Sequence, residues 1–170
     1  MPNRNIKKQY KEITKEYADD YFELHVDLDM SGIVFTPIST FKGVFDGKMH
    51  KISNLTINDT SGHPAGLFSS VDGGTIQNLG IESGTITGTN RVGALIGRTD
   101  SAVVLNCYSK ATVTGSNDVG GIVGMFNNST MENCYARATV SGNESVGGLS
   151  GSANRSVNPS INAVFKNCYS

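Results

Sequence analysis

The chain has no tryptophan, four prolines and three cysteines in 170 residues. An odd cysteine count closes no disulfide framework, and Cys107, Cys134 and Cys168 stand far from any zinc-ligand spacing. The histidines His25, His50 and His63 include no pair at metal spacing. No apolar run is long enough to span a membrane. Neither charge predominates: 14 Lys and Arg face 15 Asp and Glu, scattered along the chain, for a net charge of −1. That excludes both a basic stripe for nucleic acid and an acidic phosphate mimic. The opening segment "MPNRNIKKQYKEITKEYADD" lacks the apolar region of a signal peptide. Two expectations follow. A complete chain belongs in the cytoplasm, and a fragment of an exported protein belongs at the cell surface or outside.

Glycine, by contrast, is plentiful, at 20 residues. It is also periodic. "VGALIGRTDSAVVLNCYSKATVTG" at Val92 returns 27 residues later as "VGGIVGMFNNSTMENCYARATVSG". "AGL", "VGA", "VGG" and "VGG" begin at 65, 92, 119 and 146, and "TITG", "TVTG" and "TVSG" begin at 85, 112 and 139. "KISNLTI" at 51–57 resembles "TIQNLGI" at 75–81, which implies an earlier coil. The last copy is stretched by an insertion within "SANRSVNPSINAV".

Each copy contains three short β-type runs, for example 92–96, 103–108 and 111–114. Glycine pairs and Thr-Val-Thr runs disfavour a helical repeat of the same length. The expected fold is therefore all-β, a three-sided parallel β-helix of about five coils, each strand pairing with its counterpart one period away. The expected organisation is a capping α-helix within 1–20, a lead-in strand and first coil over 21–64, and repeats over 65–91, 92–118, 119–145 and 146–170.

Reading position by position yields the inward columns. These are Leu67, Leu95, Ile122 and Leu149; Ile52, Ile76, Val104, Met131 and Phe165; Ile86, Val113 and Val140; and Leu55, Leu79, Cys107, Cys134 and Cys168. In the last, cysteine replaces leucine as a small buried hydrophobe. Asn54, Asn78, Asn106, Asn133 and Asn167 form a fifth column, flanked by inward residues at −2 and +1. That breaks strict alternation, so the chain must bend there. Asparagine tolerates the left-handed region and can form amide ladders.

The glycine block and the "NCY" block together resemble the GLUG repeat of bacterial proteins, over about residues 24–170. "FKGVFDGKMHKISNLTI" is similar to the coil that opens such repeats. The resemblance implies a surface-protein or adhesin-like solenoid. Such repeats also accompany the catalytic domain of some IgA-cleaving metallopeptidases, but the H-E-x-x-H helix of that activity does not occur here.

Ile6, Tyr10, Ile13 and Tyr17 fall on one helical face, with charged residues opposite, so a helix over 4–18 is expected to cover the first coil. Phe22, Leu24, Val26 and Leu28 then alternate as a first strand. At the other end, the 150–163 loop carries Asn154, Arg155, Asn158 and Pro159 beside Phe165. It suits a lid or a contact, including an end-to-end homodimer through the last coil.

Candidate binding residues are Tyr108, Tyr135 and Tyr169, expected as an outward aromatic stack, with Asn154, Arg155 and Phe165 at the end. A structural role in clamping neighbouring strands is the alternative for the tyrosines. His25, Asp27 and Asp29 share one face, and Asp46 and His50 lie in "FDGKMH". Paired carboxylates suggest a polysaccharide-active enzyme, while turn chemistry explains the same residues. Six N-x-S/T sequons, at Asn54, Asn58, Asn127, Asn128, Asn143 and Asn154, read as products of composition.

The expected function is non-catalytic binding of a protein or glycan partner, with no cofactor, metal, nucleic acid or membrane span. Two alternatives stand beside it: a complete intracellular or phage-encoded protein that blocks or scaffolds a macromolecule, and a polysaccharide-active enzyme.

Overall fold

In the computed structural model, which describes residues 20–153 and 162–170, the chain is a succession of short strands stacked in register into a parallel β-solenoid of about five turns. All strand pairings are parallel. The described residues contain no helix. The expected helix over 4–18 lies outside them, as do Asn154, Arg155, Asn158 and Pro159.

The three runs of each coil resolve into five strands. The second repeat supplies Asn90–Gly93, Ile96–Asp100, Val103–Leu105, Tyr108–Ser109 and Thr112–Thr114. The stacked counterparts form five sheets. Sheet A contains Val103–Leu105, sheet B Tyr108–Ser109, sheet C Thr112–Thr114, sheet D Ile96–Asp100 and sheet E Asn90–Gly93. The expected three-sided outline is finer here because two of the runs break: 103–108 at Asn106 (φ 52°), which separates sheet A from sheet B, and 92–96 between Gly93 and Ile96, which separates E from D. Ser101 (φ 54°) turns the chain between D and A. Left-handed backbone costs a non-glycine residue about 1–2 kcal/mol, least for asparagine and aspartate. The columns Asn78, Asn106, Asn133, Asn167 and Arg91, Asp118, Ser145 nonetheless hold φ between 50° and 56°.

At the A–B corner the asparagines are also joined. Asn106 donates from Nδ2 to Asn78 Oδ1 (2.9 Å), Asn133 to Asn106 (3.2 Å) and Asn167 to Asn133 (3.2 Å). The ladder has one direction and ends at a carboxylate, Asn78 donating to Asp46 Oδ1 at 3.0 Å.

Asn54 is not part of that ladder. The similarity between 51–57 and 75–81 suggests a register that the first coil does not adopt. Phe45, not Ile52, stacks beneath Ile76, while Ile52 pairs with Ile81 and Leu55 with Gly84. The first coil turns its A–B corner through a longer loop containing Lys48 (φ 49°) and Met49 (φ 65°). Those extra residues shift "KISNLTI" onward by one sheet. Asn54 instead bends the chain between sheets B and C, its backbone N–H donating to Ser83 Oγ at 2.8 Å. Nor is 22–28 one strand: Tyr21–Glu23 joins sheet A and Leu28–Asp29 joins sheet B, with Val26 exposed at the turn between them.

From the second coil onward the expected columns hold. Ile76, Val104 and Met131 are fully buried, as are Leu95 and Ile122, Ile86 and Val113, and Leu79, Cys107 and Cys134. The cysteines are free thiols packed as core. Burial pushes the Cys107 thiol well up. Cys168 and Leu149 in the last coil, and Val140 at the top of sheet C, are half-buried, and Phe165, 41% exposed, packs on Phe126 at 4.9 Å between ring centroids.

The glycine block has a steric cause. Gly93, Gly120 and Gly147 stack in sheet E, and Gly97, Gly124 and Gly151 hold a matching position of sheet D. A Cβ on Gly124 would strike the Arg91 and Val92 backbone, and one on Gly93 would strike the Ile96 carbonyl. Main chain thus lies directly against main chain where strand E folds back on strand D, closer than any side chain permits.

Two outcomes are expected. Gly124→Ala should lose about 1–3 kcal/mol or more in urea denaturation, because the overlap is with backbone; unchanged stability would show a looser contact. Cys107 and Cys134 should resist a thiol reagent in the native protein, Cys168 should react sooner, and all three should react after unfolding.

Candidate functional site

Outward residues of sheet B build the most concentrated side-chain site. Tyr108, Tyr135 and Tyr169 occupy successive rungs, in register. Their rings are parallel: 5.1 Å between the Tyr108 and Tyr135 centroids at 5°, and 5.4 Å between Tyr135 and Tyr169 at 7°. Alternation places a second column two residues on. There Lys110 Nζ lies 5.4 Å from the Tyr108 ring and the Arg137 guanidinium 5.9 Å from the Tyr135 ring. Beneath the stack is Gly80, where any Cβ would overlap the Tyr108 ring. Tyr108 therefore leans over a position kept empty for it. Below Gly80 the column continues with Lys51, while Thr56 belongs to sheet C.

The lower end of the face is internally compensated. Glu82 accepts from Tyr108 Oη and Lys110 Nζ, each at 2.7 Å. These two bonds hold the Glu82 carboxyl below the usual range. Burial, followed by the adjoining carboxylate, pushes the Tyr108 phenol well up. The upper end is not compensated in this way. Arg137 has no carboxylate partner among the described residues, and Tyr169 is 58% exposed. Parallel stacking covers ring faces, so the stack offers edges, hydroxyls and the open ring of Tyr169. Glu82, Lys110 and Arg137 escaped the sequence reading, although each lies two residues from a stack position and so on the same side of the strand.

The carboxylates near the first coil do not converge on a reacting point. Asp46 is buried. It accepts from the Lys48 amide (2.8 Å), Asn78 (3.0 Å), Gln77 (2.9 Å) and Tyr21 (3.3 Å), with Lys48 Nζ at 3.5 Å. Burial disfavours its charge, but the bonds from Asn78, the Lys48 amide and Gln77 outweigh burial and hold the carboxyl far below the usual range. Glu23 pairs with Lys48 at 2.7 Å, and Asp29 caps a turn at Ser31. Asp27 contacts His50 Nδ1 at 2.9 Å on an exposed surface. Among the described residues, no three His, Cys, Asp or Glu side chains are grouped to hold a metal.

With the coil geometry in place, comparison with known proteins is informative. The GLUG motif matches residues 88–114, one full coil. The chain carries the GLUG repeat. A 93-residue stretch, 49% of the chain, is 39% identical to halomucin of Haloquadratum walsbyi, of whose length it spans 1%. The fold resembles the crystal structure of a protein described as a candidate immunoglobulin A1 protease from Bacteroides ovatus. The TM-score is 0.57 at 22% identity, over 89% of this chain and 69% of that one. At that identity the likeness is one of fold.

Two titrations follow from the site. Tyr108 should ionise above the ordinary tyrosine value in an ultraviolet titration, and Glu82→Gln should bring it down. Asp46, with its folded pKa depressed, contributes stability that is complete above its unfolded value of about 3.9 and is lost as pH falls below it. Asp46→Asn should flatten that acid limb of a denaturation series, and a limb left unchanged would assign it to other carboxylates.

Proposed function

We propose that this GLUG solenoid is a non-catalytic binding module of a surface or adhesin-like protein, and that its partner, a glycan or a protein, docks on the tyrosine face of sheet B. The observation that carries the reading is the uncompensated upper end of that face, where Arg137 stands beside stacked tyrosines and Tyr169 is exposed. A rigid, pre-ordered aromatic and guanidinium surface binds with little loss of side-chain freedom. The likeness to halomucin supports a surface setting. Fold alone supplies no function.

The absence of catalysis is part of the same proposal: Asp46 and Glu23 are committed to internal bonds and Asp27 to His50. The partner has no place on the 150–153 strand in this reading; Phe165 packs against Phe126 instead.

Screening on a glycan array and against host-surface proteins should yield a ligand whose affinity Arg137→Ala lowers at least tenfold, with Tyr169→Ala also weakening it. Lys110→Ala, on the compensated end, should change affinity far less. A ligand indifferent to Arg137 and Tyr169 would refute the assignment of the face, and release of new reducing ends from a polysaccharide would refute the non-catalytic reading.

A further inference from the structure

We propose that the outward face of sheet C binds ice: a lattice of ordered water docks on a regular threonine array. This face is separate from the tyrosine face and does not depend on the reading above. Thr56, Thr85, Thr112 and Thr139 stack in register, and Asn58, Thr87, Thr114 and Ser141 stack beside them. Below, Val34 bridges to Thr56, with exposed Thr36 two residues on, so the two columns continue for another rung. Inward residues between the columns, Ile57, Ile86 and Val113, are buried and fix the orientation of each strand.

Three properties single this face out. First, it carries hydroxyl side chains at eight of ten outward positions of the two-dimensional repeat that the sheets of the solenoid share. Rungs of a parallel sheet repeat at about 4.8 Å, and alternate residues along a strand at about 6.6 Å. Those two distances are close to the spacings of water oxygens on a prism face of hexagonal ice. Second, its two columns are free of charge; Asp59, the one ionisable residue in the described sheet C strands, ends Leu55–Asp59 outside both columns and accepts from the Ser61 amide at 3.0 Å. Sheets A, B and D display Glu132 and Lys166, Lys110 and Arg137, and Arg98 and Asp100. None of the ten outward positions described for sheet C is ionisable. A charged group holds its own hydration shell and would disrupt a crystalline water layer.

Third, the hydroxyls of its threonine column from Thr56 to Thr139, and of Thr114 beside it, are unspent. The asparagine ladder and the Tyr108–Glu82–Lys110 group use their polar atoms internally. Among the described residues, no side-chain hydrogen bond engages the hydroxyls of Thr56, Thr85, Thr112, Thr114 or Thr139. Threonine's branched side chain has a restricted χ1, so hydroxyl and methyl are presented in a repeated orientation. Each hydroxyl can stand in for a lattice water while each methyl fills a recess. A rigid array makes many such weak contacts at once with little further ordering cost. A sugar lattice is the less suitable occupant, because this face has no aromatic ring or charged donor to orient a pyranose.

The test uses the full chain in two assays, thermal hysteresis of a seeded ice crystal and partition into a slowly growing ice front. The unaltered protein should show a hysteresis gap with faceted crystals and should enter the ice. Thr112→Lys and Thr85→Lys should each lose most of both effects while keeping the far-ultraviolet circular dichroism and melting temperature of the parent. Met125→Lys, on sheet D, should retain them. Absence of hysteresis in the unaltered chain overturns the proposal. So does equal loss in the Met125 variant, and so does retention by crystalline cellulose with exclusion from ice. Tyr169→Ala and Arg137→Ala should leave both assays unchanged, which separates failure here from failure of the tyrosine-face reading.

Discussion

The structure depends on a bend that recurs at one place in each coil after the first. A parallel solenoid can stack only if each circuit turns at the same residues, because one slipped position would drive core side chains outward. Asn78, Asn106, Asn133 and Asn167 meet that demand twice over. Their backbones adopt the left-handed conformation that turns sheet A into sheet B, and their amides tie each turn to the one below. A run of amides donating in one direction needs a final acceptor. Buried Asp46 is that acceptor, which explains a carboxylate where a sequence reader sees a catalytic candidate.

The bend also sorts side chains into faces with different fates. On the inside, Ile76, Val104 and Met131, or Leu79, Cys107 and Cys134, form continuous columns. Backbone closes on backbone at the glycine block, so the cross-section stays narrow. On the outside, repetition multiplies whatever residue a position holds. One column becomes a stack of tyrosines, another a row of amides, and another a row of threonines. Function in such a molecule comes from the outward columns, and a change at one position is repeated down the face.

Periodicity made much of this legible. The 27-residue spacing, the buried cysteines, the left-handed asparagines and the parallel tyrosines all follow from aligning copies that differ little. The reading failed where the copies differ. Asn54 and Leu55 mimic Asn78 and Leu79 in local sequence, yet pair with Ser83 and Gly84, because a longer corner at Lys48 and Met49 displaces the strand. Length in a loop is invisible to a column alignment that seeks the best local match. The left-handed backbones at exposed Ser101 and buried Asp118 were hidden for another reason: neither residue stands out in the sequence as a bend, and only the stacking reveals it. At the site, the tyrosines were evident from repetition, but Glu82 and Gly80 beneath them matter because they are exceptions to it.

The account rests on the asparagine corner as both conformational and hydrogen-bonding device, and equilibrium unfolding of two variants at Asn106 separates those roles. Asn106→Gly keeps left-handed backbone accessible and removes the ladder bonds, which should cost about 1–2 kcal/mol for two bonds lost. Asn106→Ala loses both features and should be less stable than the glycine variant by a further 1 kcal/mol or so, about the penalty for a β-carbon in that conformation. Alanine equal to or better than glycine, or either variant as stable as the parent, would contradict the claim that this corner holds the coils in register.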